Sequence, residues 1–318
     1  MLMCVSSSAG QTAGTAICWG WDFNGECTPP SGQKFVKVSA GHRFSLGINS
    51  NNQIVHWGWT ANGRGNIPSG DVFVQVSAGY DHGLALDATG NVYAWGGGDP
   101  NAGLGWDQGT VPSDPRGDSV YTQVSAGEAF NLVLRADGTI WHWGRDSEGQ
   151  DDIPHNETGA SGFVPYVAID AGGHHGIGLR ADGSIQVWGG QNYTCTTQGV
   201  LPSFPSDTPF IAVGAGHITS YAVKSDRSVV WWGGCNGCNT EPVNHIDIQH
   251  AFIDGGYGHA YARTASSHVY AWGSPCTPGG GTLVFAEPHE VPSFLANAVV
   301  LSAATGHSNH HNIVIIMD

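Results

Sequence analysis

The chain has 318 residues, of which 48 are glycine and only 12% are charged. Its 26 acidic and 11 basic residues leave a net charge of −15, which excludes the basic surface that nucleic-acid phosphates require. The same charge disfavours an anionic membrane surface, and no apolar run is long enough to span a bilayer. We therefore expect neither a nucleic-acid partner nor membrane insertion.

The first ten residues are too short and too polar to be an intact secretion signal. We predict a flexible tail over residues 1–14 and a single domain over residues 15–318. The 7 cysteines leave at least one thiol unpaired, whereas the scarcity of lysine and the abundance of tryptophan and glycine suit a secreted or extracellular protein. A secreted or extracellular location is therefore expected.

A Trp-Gly pair recurs along the chain at intervals of about 40 residues, which indicates a repeat protein. A second motif, close to Val-Ser-Ala-Gly, precedes every Trp-Gly pair except the first, and a worn copy follows the last pair. The tryptophans are Trp19, Trp57, Trp95, Trp143, Trp188, Trp232 and Trp272. The second motif begins at Val38, Val76, Val124, Ile169, Val213, Ile253 and Leu301.

Each repeat has the pattern of short strands joined by tight turns. Asp137-Gly138, for example, lies between two alternating apolar segments, and Asp-Gly in that setting is a strong hairpin signal. No segment has apolar residues at helical spacing, so the chain is predicted to be all-β. Repeats of this length and number predict a seven-bladed β-propeller of four-stranded antiparallel blades.

The ends of the chain carry complementary pieces of one repeat. Residues 16–20 match the last strand of a repeat, whereas residues 299–301 and 312–316 match first strands. We therefore expect the N- and C-terminal strands to share one blade, which closes the ring and removes exposed sheet edges.

The repeat resembles that of the regulator-of-chromosome-condensation family. The family signature is similar to residues 77–86, which read Ser-Ala-Gly-Tyr-Asp-His-Gly-Leu-Ala-Leu, and to residues 143–150, which read Trp-Gly-Arg-Asp-Ser-Glu-Gly-Gln. The likeness extends over nearly the whole chain and implies the propeller fold. The short units, with a proline after the Gly-Gln loop, look most like bacterial secreted members such as the β-lactamase-inhibitor propellers. The family's functions are diverse, so the resemblance alone does not define the activity.

Catalytic and cofactor-binding motifs are absent from the sequence. It contains neither the His-Glu-x-x-His pattern of zinc hydrolases nor the Gly-x-Ser-x-Gly turn of serine hydrolases, and its Gly-x-Gly fragments open no helix. We therefore expect a protein that is not an enzyme and that uses no cofactor.

Histidines occupy two kinds of repeat position. The third place after the motif glycine holds histidine in three repeats, at His82, His175 and His259, but phenylalanine or threonine in others, which indicates a packing position. The first two places, which hold His42, His174 and His217, should lie in a loop near the rim. Imidazole binds zinc, copper and nickel, so a metal ring at these positions is conceivable. Because no carboxylate recurs at a regular spacing, no metal site is predicted.

Six of the cysteines are candidates for disulfides. Cys18 and Cys27 flank the first Trp-Gly loop and could form a bridge, although strand geometry could equally forbid it. Cys235 and Cys238 have half of a zinc-knuckle pattern, but a disulfide is favoured, either between them or with Cys195 or Cys276. The sequence leaves the connectivity open.

Aromatic residues in the loops provide the main functional indication. In the β-lactamase inhibitors that the chain resembles, the loops after Trp-Gly and after the motif glycine form one face that holds the partner. Aromatic anchors are typical of interface hot spots. The predicted partner-binding residues are Trp21, Phe23, Trp59, Tyr80, Asp81, Trp106, Glu128, His174, Tyr193, His217 and Tyr257. For Trp21 and Trp59, a role in covering a blade edge is an equal alternative.

The predicted function is non-enzymatic binding of a protein partner with basic groups on an acidic, aromatic loop face. One alternative is a carbohydrate-binding propeller in which Trp21, Trp59, Trp106 and Tyr193 stack on sugar rings. The irregular distribution of these anchors among the repeats argues against equivalent sugar pockets. A self-assembling extracellular structural protein is the other alternative.

Overall fold

A computed structural model of the chain describes residues 12–98, 106–117, 120–190, 208–233, 253–255, 259–263, 269–273, 300–305 and 311–317. Between residues 253 and 305 the description covers the backbone alone. In these ranges the chain forms β-strands and one 3-10 turn at Ala61–Gly63, which confirms the all-β prediction. Among the residues described, no helix is long and apolar enough to cross a membrane.

The described strands form seven three-stranded antiparallel sheets, numbered here as blades 1 to 7. Blade 1 contains β2 (Phe35–Ala40), β3 (Phe44–Asn49) and β4 (Ile54–Gly58). Blade 2 contains β5 (Phe73–Ala78), β6 (His82–Asp87) and β7 (Val92–Gly96). Blade 3 contains β8 (Tyr121–Ala126), β9 (Phe130–Arg135) and β10 (Ile140–Gly144). Blades 4 and 5 contain β11 (Tyr166–Ala171), β12 (His175–Arg180) and β13 (Ile185–Gly189); and β14 (Phe210–Ala215), β15 (Thr219–Lys224) and β16 (Val229–Gly233). Blades 6 and 7 contain β17 (Ile253–Gly255), β18 (His259–Arg263) and β19 (Val269–Gly273); and β20 (Val300–Thr305), β21 (His311–Ile316) and β1 (Thr15–Gly20).

The sequence predicts four strands per blade, whereas each sheet has three strands within the described ranges. The segment between β4 and β5 is fully described and contains no strand. It includes Pro68, which lacks a backbone N–H and cannot donate to a sheet ladder. The corresponding segments before β8 and β11 contain Pro112 and Pro154, so the same physical limit applies to them.

The terminal strands share one blade, as predicted. β1 pairs with β21 from Thr15 opposite Ile316 to Gly20 opposite His311, and β21 pairs with β20 on its other side. Ile313 and Ile315 of β21 are fully buried and pack in one cluster with Phe35 and Trp57 of blade 1. Both ends of the chain therefore contribute to the core between blades 7 and 1.

Side chains of the innermost strands connect neighbouring blades. In blades 1 to 3 the serine of the Ser-Ala-Gly motif accepts a hydrogen bond from the backbone N–H of the motif alanine in the next blade. These contacts join Ser39 to Ala78 (2.9 Å), Ser77 to Ala126 (3.0 Å) and Ser125 to Ala171 (2.9 Å). Gln123 adds a two-way contact, because its side chain accepts from the N–H of Ile169 and donates to its carbonyl.

The motif glycines lie where the inner ends of the blades crowd together. A Cβ atom added to Gly79 would lie 2.5 Å from the carbonyl oxygen of Gly127, and one added to Gly127 would lie 2.7 Å from that of Gly172. Real Cβ atoms essentially never approach backbone this closely. The contact explains why the repeat has glycine at this position.

The histidine repeat position is a packing position, as predicted, and the tryptophan of the Trp-Gly pair is one as well. Trp95 and Trp188 are buried, and their indole N–H groups donate to the carbonyls of Arg64 and Gln150 from the preceding repeat, both at 2.9 Å. His82 is fully buried, with its Nε2 atom 2.8 Å from Asn131 of the next blade. These side chains therefore hold adjacent blades together.

Candidate functional site

Two classes of loop meet at one end of the propeller. β2 and β4 both pair antiparallel with β3, so they run in the same direction and end at the same edge of the blade. The loop after the first strand of a blade is called the axial loop here, and the loop after its third strand the Trp-Gly loop. Backbone hydrogen bonds join the two, for example from Trp59 to Arg43 and from Arg145 to Ala129, both at 2.8 Å. We call this end of the molecule the loop face.

The axial loops of blades 3, 4 and 5 bring one carboxylate and two imidazoles together. Oε2 of Glu128 lies 3.5 Å from Nε2 of His174 and 3.5 Å from Nε2 of His217. The two imidazole rings meet edge to face, with centroids 4.9 Å apart. Both histidines are buried, whereas the Glu128 side chain keeps 21% of its surface exposed. We call these three residues the axial cluster.

An arginine from a Trp-Gly loop lies against the axial cluster. Arg145 donates from Nη2 to Nδ1 of His174, and its Nη1 atom is 3.7 Å from Oε2 of Glu128. Its Nε atom donates to Glu148 at 3.0 Å. The Gln150 side chain also donates to Glu148, at 2.6 Å. The guanidinium of Arg145 thus lies between the carboxylates of Glu128 and Glu148 and the imidazole of His174, where solvent has little access.

The electrostatics of the axial cluster keep Glu128 ionised and His174 neutral. Burial raises the pKa of Glu128, but contact with His217 and the nearby His174 and Arg145 outweigh it and bring the pKa to about 2. Burial lowers the pKa of His174 to about 4, although the Glu128 carboxylate opposes that shift. At neutral pH the cluster therefore offers the anionic carboxylate of Glu128 and the neutral imidazole of His174.

His42 and Tyr80, from the axial loops of blades 1 and 2, form a separate stacked pair. Their rings are 4.0 Å apart and tilted by 23°. Burial raises the pKa of Tyr80, and the Glu128 carboxylate adds to the shift. Of the three histidines considered for a metal ring, the structure brings His174 and His217 together and places His42 in this stack.

Several predicted contact residues are less accessible than a docking surface requires. Asp81 is buried and accepts a hydrogen bond from Gln108 at 3.2 Å. Burial raises the pKa of its carboxyl group, although Arg64 opposes that shift. His174 and His217 are also buried. Burial therefore keeps these three side chains from being displayed at the rim as expected. Asp81 contacts Gln108 and His174 contacts Arg145, both from Trp-Gly loops, whereas His217 contacts Glu128 and His174.

The aromatic residues of the Trp-Gly loops are more accessible. Phe23 is 78% exposed and Trp106 is 42% exposed, whereas Trp21 is half-buried and contacts Phe23 edge to face. The ring of Trp59 has the guanidinium of Arg43 at 5.0 Å and that of Arg64 at 4.8 Å. Trp59 is thus held in a cation–π arrangement.

Acidic side chains on the same loops are exposed. These residues are Asp22, Asp107, Asp146, Asp151 and Asp152. Partial burial raises the pKa of Asp151, as do its hydrogen bond to Asp146 and the negative charges of Asp146 and Asp152. The loop face therefore has a locally negative potential around these residues.

The structure assigns one of the disulfide alternatives. Cys18 and Cys27 form a disulfide, with their Cα atoms 5.1 Å apart. The candidates Cys195, Cys235, Cys238 and Cys276 lie outside the described residues, as do the predicted contact residues Tyr193 and Tyr257.

Arg145 and Glu148 were not among the predicted site residues. Arg145 directly follows Trp143-Gly144, so it occupies the repeat position that Trp21 and Trp59 hold in their own repeats. Alignment of the repeats by that position would have placed it beside the axial loops. Glu128, likewise, holds the first place after its motif glycine, as Tyr80 does. Glu128 was predicted as a partner contact and not as a metal ligand, because its carboxylate does not recur at a regular spacing. Ligands of a metal site need to converge in space and need not recur along the chain.

Comparison with known proteins identifies the class of fold. The family model described as "Regulator of chromosome condensation (RCC1) repeat" matches residues 73–99 and 121–150, which include all three strands of blade 2 and of blade 3. No sequence among the curated proteins matches the chain. The fold is that of an RCC1-like β-propeller, and blades 2 and 3 match the RCC1 repeat.

Solved structures of this fold come from several eukaryotes. Prp20p from Saccharomyces cerevisiae, described with its binding properties to Gsp1p and histones, is 16% identical with a TM-score of 0.72, over 97% of this chain and 92% of that one. The same yeast protein has been solved bound to Kap60. Human WBSCR16 is 17% identical with a TM-score of 0.72, over 96% of this chain and 99% of that one. The ectodomain of the receptor kinase CR4 from Physcomitrella patens is 18% identical with a TM-score of 0.61, over 85% of this chain and 67% of that one.

Proposed function

We propose that the chain is a non-enzymatic protein-binding propeller that docks a partner with basic groups on the loop face. In this proposal the seven blades form a closed ring, and the protein works in a secreted or extracellular setting, in the style of the bacterial secreted members of the family. The loops do the binding, and the blades hold the loops in place.

The fold supports a protein partner. Prp20p, which has the same propeller architecture, binds Gsp1p, histones and Kap60. A fold of this kind presents loops from many blades on one rigid surface, and function lies in those loops more than in the scaffold. Because Prp20p is only 16% identical to this chain, its own partners are not assigned to this chain.

The single observation that carries the proposal is the exposure of large aromatic rings on the loop face. Phe23 and Trp106 project into solvent, and Trp21 supports Phe23 from the side. Exposing such rings is unfavourable unless a partner covers them, because burial of apolar surface contributes about 25 cal/mol per Å². Rings of this kind are the usual anchors of protein interfaces.

The charge of the same face supports a basic partner. The negative charges of exposed Asp146 and Asp152 lie close enough to Asp151 to raise its pKa. A negative field accelerates the encounter with a positive surface and is weakened by salt. The accessible acidic groups are these loop aspartates, whereas Asp81 and Glu26 are buried and would not contact the partner.

A non-enzymatic role agrees with the burial of the two Ser–His pairs, the side-chain combination that could do acyl-transfer chemistry. Ser220 lies 2.8 Å from Nε2 of His175, and Ser45 lies 3.0 Å from Nε2 of His311. All four residues are completely buried. A substrate therefore has no access to either Ser–His pair, and both serve as contacts between blades.

The test is quantitative affinity capture from the native source, followed by binding kinetics with the recovered partner. The loop-face variant carries Trp21→Ala, Phe23→Ala and Trp106→Ala. We expect it to bind at least 10-fold more weakly, because hot-spot aromatics contribute about 2 kcal/mol each. Raising salt from about 0.05 to 0.5 M should slow association of the wild-type protein.

The matched control carries Val167→Ala and Ile211→Ala. Both residues are exposed and lie at the start of inner strands, at the end of the propeller opposite the loop face. The control should bind like the wild type. Loss of the partner in the control alone, or recovery of glycans with no protein, would refute the assignment.

A further inference from the structure

We infer that Glu128, His174 and His217 form a binding site for a divalent transition-metal ion, with zinc the ion they fit best. The inference concerns a different ligand from the protein partner proposed above and does not depend on that proposal.

The donor set is the first argument. Two imidazole nitrogens and one carboxylate oxygen are a ligand set that zinc uses when it keeps a fourth position open. The same set also suits iron, cobalt and nickel, whereas calcium and magnesium prefer oxygen ligands alone. Lysine and cysteine do not enter the cluster. The chemistry therefore favours a transition metal.

The spacing is the second argument. The three donor atoms all lie within 4.8 Å of one another, and Oε2 of Glu128 is 3.5 Å from Nε2 of each histidine. Ligands bound at about 2.0–2.1 Å to a tetrahedral ion lie roughly 3.3–3.5 Å apart. A strong charge-assisted hydrogen bond would instead bring nitrogen and oxygen to about 2.7–2.9 Å. The two distances from Glu128 to the histidines therefore match metal ligands better than a tight ion pair.

The position in the fold is the third argument. The ligands come from three consecutive axial loops, whose inner strands are joined by contacts such as those of Ser125 and Gln123. His175, next to His174, is held by Ser220 of the following blade at 2.8 Å. A site on rigid elements loses little entropy when the ion binds. The partly exposed Glu128 provides access from solvent.

The positive charge of Arg145 lies beside His174 and Glu128 and opposes a metal ion there, so the contacts of Arg145 must change when the ion binds. It donates to Nδ1 of His174, so the ring carries its proton on Nε2, facing Glu128. Metal binding at Nε2 transfers that proton to Nδ1, which lies 3.9 Å from Oε2 of Glu148. Glu148 then accepts from Nδ1, in the carboxylate–histidine–metal arrangement common around zinc. Arg145 must withdraw from His174 and can remain paired with Glu148.

The experiment is calorimetric titration of the full chain with Zn²⁺ and, in parallel, visible absorption with Co²⁺. Cys235→Ser and Cys238→Ser are included in every protein so that the Cys-x-x-Cys pair does not contribute. One equivalent of metal should bind, and Co²⁺ should show the intense absorption of a four-coordinate site. Glu128→Gln, His174→Gln and His217→Gln should each weaken binding at least 10-fold. Arg145→Gln should tighten it.

Two histidine variants are matched controls. His42→Gln alters an axial-loop histidine outside the cluster, and His155→Gln alters an exposed one. Both should bind metal like the parent protein. Circular dichroism and thermal unfolding without metal establish that every variant is folded. The inference is overturned if the parent binds no metal, or if the cluster variants, once folded, keep the full stoichiometry and affinity.

Discussion

In blade 4 an aspartate takes the inner-strand position that serine holds in blades 1 to 3. Asp170 as a residue is partly exposed, but its carboxylate group is enclosed by protein. The carboxylate accepts hydrogen bonds from Ser125 and from the backbone N–H of Ala215. Burial raises the pKa of Asp170 to about 6, against the effect of these hydrogen bonds. The link between blades 4 and 5 therefore contains a group that titrates well above its ordinary range.

Asp170→Ser should change how stability depends on pH. Because the folded-state pKa lies above the unfolded value, the folded protein binds this proton more tightly. The resulting stability is present in full below about pH 4 and is lost as the pH rises through 6, by up to about 3 kcal/mol. Serine keeps an acceptor for Ala215 and removes the charge. The free energy of unfolding of the variant, relative to wild type, should therefore rise between pH 4 and 7 in urea titrations.

Asp182→Ser is the control for this change, since Asp182 is an exposed turn residue of the same blade. It leaves Asp170 in place, so it should retain the wild-type loss of stability between pH 4 and 7. If the difference between Asp170→Ser and wild type is the same at every pH, the pKa of Asp170 is the same in the folded and the unfolded protein and the explanation fails.

At the scale of the strands, adjacent blades are joined by glutamine side chains that hydrogen-bond to the backbone N–H and carbonyl of one residue, as a neighbouring strand would. Gln123 in β8 donates to the carbonyl of Ile169 in β11 at 2.7 Å and accepts from its N–H at 3.0 Å. Gln75 in β5 makes the same pair of contacts with Val124 in β8. Blades 2 and 3 therefore each satisfy backbone groups of the next blade that have no strand beside them.

Gln123→Ala should destabilise the protein, because it leaves the N–H and the carbonyl of Ile169 without their partner. An unsatisfied buried group costs about 1–3 kcal/mol, so we expect a loss in that range. Urea unfolding followed by tryptophan fluorescence measures it. Thr122→Ala, at the exposed neighbouring position, should change stability by less than about 0.5 kcal/mol. A neutral Gln123→Ala would mean that water replaces the amide at no cost.

The strand pattern was predictable because it recurs, whereas the site was predictable in part. Repetition of Trp-Gly and Ser-Ala-Gly indicates which segments are strands and that the ends share a blade. A fourth strand was expected in each blade, but the segments before β5 and β11, which are described throughout, contain none, and Pro68 and Pro154 cannot donate to a sheet ladder there. The convergence of Glu128, His174 and His217 depends on how far each blade is rotated from the last, which no local pattern encodes. The burial of Asp81 depends on Gln108, which comes from a different loop.

On the scale of the whole molecule, we expect the pairing of the two terminal strands in one blade to affect how the protein unfolds. Repeat proteins with open ends can lose terminal repeats one at a time, because each repeat contacts its neighbours alone. Here β21 is the central strand of blade 7 and lies between β1 and β20. Blade 7 also packs on blade 1. We therefore expect unfolding of blade 7 to be coupled to unfolding of the rest.

Ile315→Ala tests this coupling. Ile315 is fully buried between blades 7 and 1, so its truncation should cost about 2–5 kcal/mol. If the ends close the ring, the loss appears in the global unfolding midpoint, and amide exchange accelerates in the inner strands of blades 3 and 4 as well as in β1 and β21. Met317→Ala, at an exposed position two residues away, should leave both measurements unchanged. Faster exchange confined to β1 and β21, with an unchanged global midpoint, would mean that the terminal strands open independently and that ring closure does not hold the blades together.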